Sequence, residues 1–342
     1  MKPISKQSGI ALITALFIFA LVTIAAVAMA DRQNLDIRRT ENMLHYDQAY
    51  MFVLGMEKFA ATVLVEGDPD KEVDHLEEEF LKTPVAQEVE GGTISGFIRD
   101  ATARFPINNL VNANGEKQDA YVAAFQRFVD FMTSGNRCGE QGGFNPDLAN
   151  VVLDWIDKDE QVAVGGAEDM EYLNRERPHR AANQSMASIS ELRALNKVIA
   201  EEYNCFVGDG QNPPLVNTIN DHEVAINVNT APAEVLQSIH PKVDDKILQV
   251  LLEGRGEEGY KDTESFLKKI REELAFDLND PTQKQESVQS EEDMKKLKLS
   301  VGSQYFEVTA TAQIGRMEVT MISLLKRDGN KVITVQRSLG VY

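Results

Sequence analysis

Residues 2–32 read KPISKQSG (2–9), IALITALFIFALVTIAAVAMA (10–30) and DR (31–32). The apolar run from Ile10 to Ala30 contains 21 residues and no charge. As an α-helix it is about 30 Å long, which matches the hydrocarbon core of a bilayer. Lys2 and Lys6 precede the run, and positively charged flanks stay on the cytoplasmic side of a membrane. The segment therefore predicts one membrane-spanning helix, with a cytoplasmic N-terminus and an exported remainder.

Three kinds of N-terminal signal fit this segment. A secretory signal peptide cleaved after Ala30 suits the small residues there, but the apolar run exceeds the roughly 7–15 residues usual in such signals. An uncleaved signal anchor is the second kind of signal that fits. The third is a short basic leader cut between Gly9 and Ile10, because the apolar run begins there without a polar spacer. This third arrangement resembles the leader of type IV pilins and pseudopilins, which is cleaved on the cytoplasmic side.

Thr14 is the fifth residue of the chain that cleavage before Ile10 leaves. Type IV pilins carry Glu at that position. Its absence here resembles the minor pseudopilins of the general secretion pathway protein K family. The resemblance implies processing and methylation by a prepilin peptidase, and a mature chain that keeps its N-terminal helix in the inner membrane.

The composition describes an acidic chain with a substantial core. The net charge is −19 and 43% of the residues are hydrophobic. A surface that binds nucleic acid needs clustered Lys and Arg, so we expect no nucleic-acid partner. In an exported domain, Cys138 and Cys205 most simply form a disulfide, and two buried thiols are the alternative. The five histidines show no paired spacing, so the sequence gives zinc little support.

Hydrophobic periodicity predicts the elements at both ends of the chain. Apolar residues at three- and four-residue steps continue the first helix to about Val65, and Gly67-Asp68-Pro69 ends it. Residues 72–90 are acidic and predict a loop with a short helix. Alternating patterns predict strands over residues 93–100, 305–314, 317–327 and 331–339. Asp328-Gly329 is a pair favoured in hairpin turns.

The middle of the chain predicts a helical block. The predicted helices cover residues 121–132, 146–156, 189–204, 232–239, 244–252 and 264–274. Residues 277–298 are polar and highly charged, and we expect a mobile connection there. This order predicts an α+β fold in which a pilin-like long N-terminal helix and an antiparallel sheet are interrupted by a large all-helical insert domain.

The predicted domain boundaries follow from this order. The leader peptide covers residues 1–9 and the transmembrane helix residues 10–30. The pilin-like α+β domain takes residues 31–115 and 300–342. The helical insert domain takes residues 116–299.

An acidic loop follows Trp155. Counting from Asp157 as position 1, Asp159, Gln161 and Glu168 fall at positions 3, 5 and 12, the spacing of oxygen ligands in a calcium loop. Val162 stands where an EF-hand needs Gly, so the loop is not an EF-hand. A solvated acidic turn without a metal is the alternative interpretation.

The same loop resembles the calcium-binding region of the pseudopilin family. The phrase Asp-Trp-Ile-Asp-x-Asp followed by Gly-Ala-Glu-Asp carries the resemblance. It implies a structural calcium with five candidate ligands: Asp157, Asp159, Gln161, Glu168 and Asp169. Tyr172 is expected to pack. The basic patch of Arg175, Arg177 and Arg180 around His179 is expected to pair with the acids of residues 157–171.

A second motif resembles the start of a helix-hairpin-helix unit. Residues 226–236 read INVNTAPAEVL, in which Thr230 is a suitable N-cap and Pro232 fits the first turn. DNA-binding units of this type present backbone N–H groups of a Gly-x-Gly hairpin to a phosphate. The corresponding residues 240–245 contain no Gly, one Pro and two acids. We therefore expect a packing module that does not bind DNA.

The chain lacks the short motifs of common hydrolases and nucleotide-binding enzymes. Taken together, the leader, the element order, the acidic loop and the Asn-Val-Asn-Thr-Ala-Pro segment resemble the general secretion pathway protein K family. The resemblance implies a non-enzymatic subunit at the tip of a periplasmic pseudopilus, assembled with other minor pseudopilins to support export across the outer membrane. A signal-anchored or secreted periplasmic hydrolase is the alternative.

Overall fold

The computed structural model describes residues 8–66, 73–134, 144–196, 198–208, 213–274 and 281–340. Its first element is a single helix, α1 (Ser8–Glu66), which confirms the predicted long helix. Residues 67–69, predicted to end it, lie outside the described residues. Among the described residues, one helix, α1, is long and apolar enough to cross a membrane. The apolar part of this helix is exposed.

Antiparallel strands form the sheet on which α1 packs. The strands of the chain are β1 (Val85–Val89), β2 (Gly92–Asp100), β3 (Phe105–Pro106), β4 (Val216–Asn217), β5 (Ile226–Asn227), β6 (Leu299–Ser300), β7 (Tyr305–Ile314), β8 (Met317–Asp328) and β9 (Lys331–Leu339). Five of them form one sheet in the order β1-β2-β7-β8-β9. The other four form two short parallel pairs, β3 with β4 and β5 with β6. The four strands predicted from the sequence are confirmed as β2, β7, β8 and β9.

Strand β1 is a correction to the sequence interpretation, which placed only a loop and a short helix in residues 72–90. The short helix exists as α2 (Glu79–Lys82), but β1 follows it and pairs antiparallel with β2. The strand was missed because it lies at the edge of the sheet and is almost fully exposed. An exposed edge strand carries little of the alternation that marks a half-buried strand.

The core between α1 and the sheet follows from the two periodicities. Buried residues of α1 recur every three or four positions: Ala49, Val53, Met56, Ala60 and Leu64. Alternate residues of the strands face them: Ile94, Ile98, Val308, Ala310 and Ala312. A helix stripe and one sheet face thus bury each other. Strand β2 pairs with β7, far along the chain, in register from Gly92↔Ile314 to Asp100↔Phe306.

The region between β2 and β7 is largely helical. Its α-helices are α3 (Asp119–Ser134), α4 (Leu148–Ile156), α5 (Asp169–Leu173), α6 (Ala200–Val207), α7 (Ala233–Ser238), α8 (Asp245–Glu253), α9 (Thr263–Leu274) and α10 (Pro281–Lys296). One large hydrophobic cluster joins these helices with residues 105–111. Its centre includes four buried rings with centroids about 5–6 Å apart: Phe105, Phe125, Phe128 and Phe206.

Two predictions for this region are wrong. One helix was predicted over residues 189–204, but the structure has two separate elements there. They are a short 3₁₀ helix (Ile189–Arg193), capped by Ser188, and the helix α6. The predicted mobile connection over residues 277–298 contains α10. Polar composition misled the second prediction, because one narrow stripe of α10 is buried through Ser290 and Met294.

Asp100, at the end of β2, joins the sheet to the helical region. Its Oδ1 accepts hydrogen bonds from the Thr102 N–H (2.8 Å) and hydroxyl (2.6 Å). Its Oδ2 accepts from the hydroxyls of Thr230 and Ser303 and from Nδ2 of Asn227. Thr230 therefore holds Asp100 and is not the N-cap of α7, a place that Pro232 takes.

Candidate metal centre

Helix α4 sets the start of the acidic loop. The helix is buried on nearly every side, from Leu148 to Ile156. It ends where Asp157 adopts an extended backbone, with its N–H donated to the Leu153 carbonyl at 2.9 Å. A rigid, buried helix end therefore places the first acid of the loop.

Three carboxylates converge in the loop. Asp157, Asp159 and Glu168 each offer an oxygen, and these oxygens lie within 4.8 Å of one another. Asp157 and Glu168 are 6% and 3% exposed, whereas Asp159 is exposed. Oδ1 of Asp157 and both carboxylate oxygens of Glu168 are buried without a hydrogen-bond partner. Buried oxygens that lack partners are costly, so this arrangement favours an added ligand.

The electrostatics of the cluster favour the binding of a cation. Burial, followed by repulsion from Asp159 and Asp154, raises the pKa of Asp157 to about 7. Burial, followed by repulsion from Asp154, Asp157 and other acids, raises the pKa of Glu168 to about 8. Carboxyl groups that resist ionisation in this way become stable carboxylates when a cation lies between them.

Asp154 organises the loop, although it was not among the predicted site residues. It is fully buried on α4, and its carboxylate accepts from the Ala163 N–H at 3.1–3.2 Å. A Cβ on Gly166 would lie 2.0 Å from its Oδ2, so only Gly fits there. Burial is the main cause that raises the pKa of Asp154 to about 6. Its position one helical turn before Asp157, with a Gly pair downstream, was the available sequence signal.

The other two predicted ligands make different contacts. The Asp169 carboxylate accepts from Nη1 of Arg180 (3.1 Å) and from the Ala181 N–H (3.0 Å). The side chain of Gln161 is exposed, and its backbone N–H donates to Oδ1 of Asp159 at 2.7 Å. The structure thus brings three of the five candidate ligands together. Gln161 makes a backbone hydrogen bond to one of them, Asp159.

The surroundings of the loop agree in part with the sequence interpretation. Tyr172 packs edge-to-face on Trp155, with ring centroids 5.1 Å apart, as predicted. Of the basic patch, Arg180 pairs with an acid of the loop, whereas Arg175 donates to the carbonyls of Ala194 and Leu195. The basic patch therefore contacts the loop through Arg180, and the aromatic pair packs beside the loop.

The donor set fits a hard divalent cation. Carboxylate oxygens in a flexible loop are the ligands that Ca²⁺ prefers, whereas Mg²⁺ demands a regular octahedron and keeps its waters. Zn²⁺ prefers His and Cys, which the cluster lacks. Asp157, Asp159 and Glu168 would hold the ion, and the ion would supply the charge that neutralises them.

The remaining predicted sites are remote from this loop. Helix α1 passes through the Gly9–Ile10 junction without interruption. Cys205 lies in α6 and packs against the large hydrophobic cluster. Cys138 lies outside the described residues, so the Cys138–Cys205 disulfide stays a prediction.

Comparison with known proteins identifies the family. Two family models described as type II secretion system (T2SS), protein K match residues 103–206 and 226–287. Type II secretion system protein K of Pseudomonas aeruginosa is 31% identical, with 98% of this chain and 93% of the relative covered. The Klebsiella pneumoniae protein of the same name is 28% identical, with 98% of both chains covered.

A solved structure agrees with these relatives. A chain of the crystal structure of the GspK-GspI-GspJ complex from the enterotoxigenic Escherichia coli type 2 secretion system superposes with a TM-score of 0.68 and 26% identity. The match covers 89% of this chain and all of the other. The match fits an α+β pilin-like fold. The chain belongs to the type II secretion system protein K family.

Proposed function

We propose that this chain is the minor pseudopilin that caps the periplasmic pseudopilus of a type II secretion system and so supports export across the outer membrane. The observation that carries the proposal is the combination of one long apolar helix with a large helical block inserted between β2 and β7. The helix suits assembly among pilin-like helices, and the block suits a terminal position because it obstructs a subunit above it. We propose that the chain has no enzymatic role.

The partners of the chain are two other minor pseudopilins. The similar solved structure is a complex of GspK with GspI and GspJ, which supports the same pairing for this family member. Co-expression with the two corresponding pseudopilins should yield a stoichiometric complex from detergent-solubilised membranes. Purification of the chain without them, from cells that make all three, would contradict the proposal.

Thr14 supports the tip position. In pilin-like fibres, Glu at the fifth mature position pairs with the N-terminal amine of the neighbouring subunit above. The Thr14 hydroxyl instead donates to the carbonyls of Ile10 (3.1 Å) and Ala11 (3.0 Å) of its own helix. With Thr14 in place of Glu, the chain has no carboxylate in the membrane that a neighbour must neutralise. The subunit therefore tolerates the absence of a neighbour above it.

We also propose pilin-type processing. The leader 1–9 is cut by a prepilin peptidase between Gly9 and Ile10, and residues 31–342 lie in the periplasm. Mass spectrometry of the mature chain from a membrane fraction tests this step. A methylated N-terminus at Ile10 is expected. A start at Asp31 would overturn the processing and favour the alternative of a released periplasmic hydrolase.

The domain arrangement and the disulfide belong to the same proposal. Residues 31–115 and 300–342 form the pilin-like domain, and 116–299 form the insert. The separate hydrophobic clusters of the sheet and of the helical region support two domains, although residues 105–111 pack with the helical cluster. Cys138 and Cys205 form a disulfide in the oxidising periplasm. Mass spectrometry of a non-reduced digest should detect the linked peptides.

The loop Asp157–Glu168 binds a structural calcium. The full-length chain in detergent should melt about 5 °C higher with millimolar Ca²⁺ than with EGTA, and Mg²⁺ should have less effect. Asp157→Asn should greatly reduce the shift, because it removes a buried negative charge that the cation neutralises. Glu160→Gln is the matched control, since Glu160 is an exposed acid of the same loop outside the cluster. A wild-type chain with no calcium shift would refute the metal site.

A further inference from the structure

Strand β9 forms one edge of the five-stranded sheet and differs from the strand at the other edge. Within the part of the chain that the structure describes, β8 is the strand that pairs with β9, and the outer side of β9 has no strand. The opposite edge strand, β1, has five residues, whereas β9 has nine. Proteins commonly keep exposed edges short or charged, because an edge presents unpaired N–H and C=O groups to other chains. The length of β9 therefore favours pairing with another chain.

The side chains of β9 are unusual for an edge strand that faces water. Ile333, Val335 and Leu339 are 55%, 50% and 53% exposed. Of the two basic residues of the strand, Arg337 already balances the buried Glu57 of α1. Exposed apolar side chains favour the addition of a strand, because cross-strand packing removes them from water.

A cleft opens beside the same edge. It has a volume of about 290 Å³ and lies between the sheet and residues 187–190 of the helical region. Ile322 of β8 and Ser338 of β9 line it on the side of the sheet. At its border, Nε2 of Gln336 donates to the Ala187 carbonyl at 3.3 Å. A strand added to β9 therefore has room for one of its side chains in this cleft.

The attachment of β9 to α1 favours one kind of partner. The contact from Nε of Arg337 to Oε2 of Glu57, at 2.7 Å, fixes the strand beside the helix, and the same helix continues into the membrane-spanning segment. Because the assembly proposed above joins long helices in one membrane, a partner stands beside this chain and meets the lateral edge of its sheet. A second copy is disfavoured, because two chains with a net charge of −19 repel each other.

We propose that β9 accepts an extended strand of a neighbouring minor pseudopilin by edge-to-edge pairing, with one side chain of that strand in the cleft. Main-chain hydrogen bonds hold the added strand, and Ile333 and Val335 pack against its side chains. The inference rests on the proposed function, and it names the surface of this chain through which the assembly is joined above the membrane.

Hydrogen exchange of backbone amides tests the pairing directly. In the free full-length chain in detergent, the N–H groups of β9 that face β8 exchange slowly, and those that face outward exchange fast. In the complex purified with the two pseudopilins, the outward N–H groups should also become protected. A strand of nine residues has about four of them. Fragmentation of the deuterated peptides resolves single residues, and protection gained at alternate residues distinguishes strand pairing from general coverage.

Ile333→Lys combined with Val335→Lys tests the same edge by substitution. Charged side chains protect natural edge strands against pairing. Because both side chains are half exposed, the free variant should keep its melting temperature, whereas the partners should bind about tenfold more weakly. Ile199→Lys combined with Val288→Lys is the matched control, since it adds the same charge at two exposed apolar positions of the helical region. This control should bind the partners as the wild type does.

Each outcome of these experiments has a definite meaning. An intact wild-type complex in which the outward N–H groups of β9 exchange as fast as in the free chain would overturn the strand pairing and leave the proposed function in place. Protection that appears in the free chain as its concentration rises would assign the edge to a second copy and overturn the proposed partner. A wild-type chain that forms no complex with the two pseudopilins would overturn the proposed function as well. If the lysine variant melts at a lower temperature, the exchange of the wild-type complex decides.

Discussion

Arg337 on β9 donates two hydrogen bonds to Glu57 on α1, from Nε to Oε2 at 2.7 Å and from Nη2 to Oε1 at 2.8 Å. Glu57 is 1% exposed, and the hydroxyls of Ser323 and Thr334 complete its shell. The four donors fully satisfy one buried carboxylate. This contact ties the last strand of the sheet to the long helix.

Loss of Arg337 should loosen that attachment. Arg337→Ala leaves Glu57 buried with an unbalanced charge, which is far more costly than loss of an exposed pair. Because Arg337 is 44% exposed, we expect a loss of about 1–2 kcal/mol in the free energy of unfolding, measured by urea denaturation. Arg39→Ala is the control, since Arg39 pairs with Asp36 in solvent. Equal effects of the two changes would refute the special role of Glu57.

Gly166→Ala should damage the acidic loop. The added Cβ would lie 2.0 Å from Oδ2 of Asp154, a buried group on a rigid helix that cannot give way. We expect a lower melting temperature and weaker calcium binding, because the turn that presents Glu168 must shift. The contrasting change is Gly55→Ala, which meets no atom within 4 Å and lies on the exposed side of α1. It should stabilise the chain by up to about 1 kcal/mol.

His240 should make the chain sensitive to mild acid. Burial, followed by the charges of Arg127 and Lys242, lowers its pKa to about 4, although Asp293 opposes them. The neutral ring accepts the Lys242 N–H at Nδ1 and donates from Nε2 to Ser290 on α10 at 2.8 Å. The unfolded chain binds this proton near pH 6.5 and the folded chain only near pH 4.

The contribution of His240 to stability should therefore fall by as much as about 3 kcal/mol as the pH drops from about 6.5 to about 4. In the metal-free chain, Asp154, Asp157 and Glu168 contribute with the opposite sign, because their pKa values are raised in the folded state. Urea denaturation at several pH values in this window measures the slope. His240→Gln keeps a polar side chain but cannot titrate, so the wild type should lose stability relative to this variant as the pH falls. Identical slopes for the two proteins would show that His240 does not control the acid response.

Thr14→Glu should leave assembly and secretion nearly intact. A tip subunit has no neighbour above it, so the added carboxylate meets no amine and imposes only a moderate cost in the membrane. Secretion in a strain lacking the native protein measures the effect, with wild-type Thr14 as the reference. Complete loss of secretion by the variant would argue against the tip position.

The accuracy of the sequence predictions depended on how regular each burial pattern was. The strands with clear alternation, such as β7, and the long helix α1 were located within a few residues. The exposed edge strand β1 and the polar helix α10 were missed, because their burial depends on a few contacts with distant segments. His240 holds α10 through Ser290, a contact across 50 residues that no local pattern predicts.

For the metal loop too, local spacing predicted some features and tertiary contacts decided the others. Spacing along the chain selected Asp157, Asp159 and Glu168, because ligands of one loop are close in sequence. Asp154 was not predicted, because it acts through a hydrogen bond from the backbone N–H of Ala163, nine residues further along the chain. The pairing of Asp169 with Arg180 agrees with the expected pairing of the basic patch with the acids of residues 157–171, and the choice of these two partners depends on how residues 169–181 fold back.

By itself the sequence determined the membrane helix, the α+β class, the family resemblance and the position of the acidic loop, since these depend on local hydrophobic periodicity and short spacings. The tertiary structure alone decided which carboxylates converge, which oxygens are buried without partners, and how β9 is fastened to α1. Those features depend on how the loop folds and on how distant segments pack, and there burial and hydrogen bonding, not local propensity, set the energy.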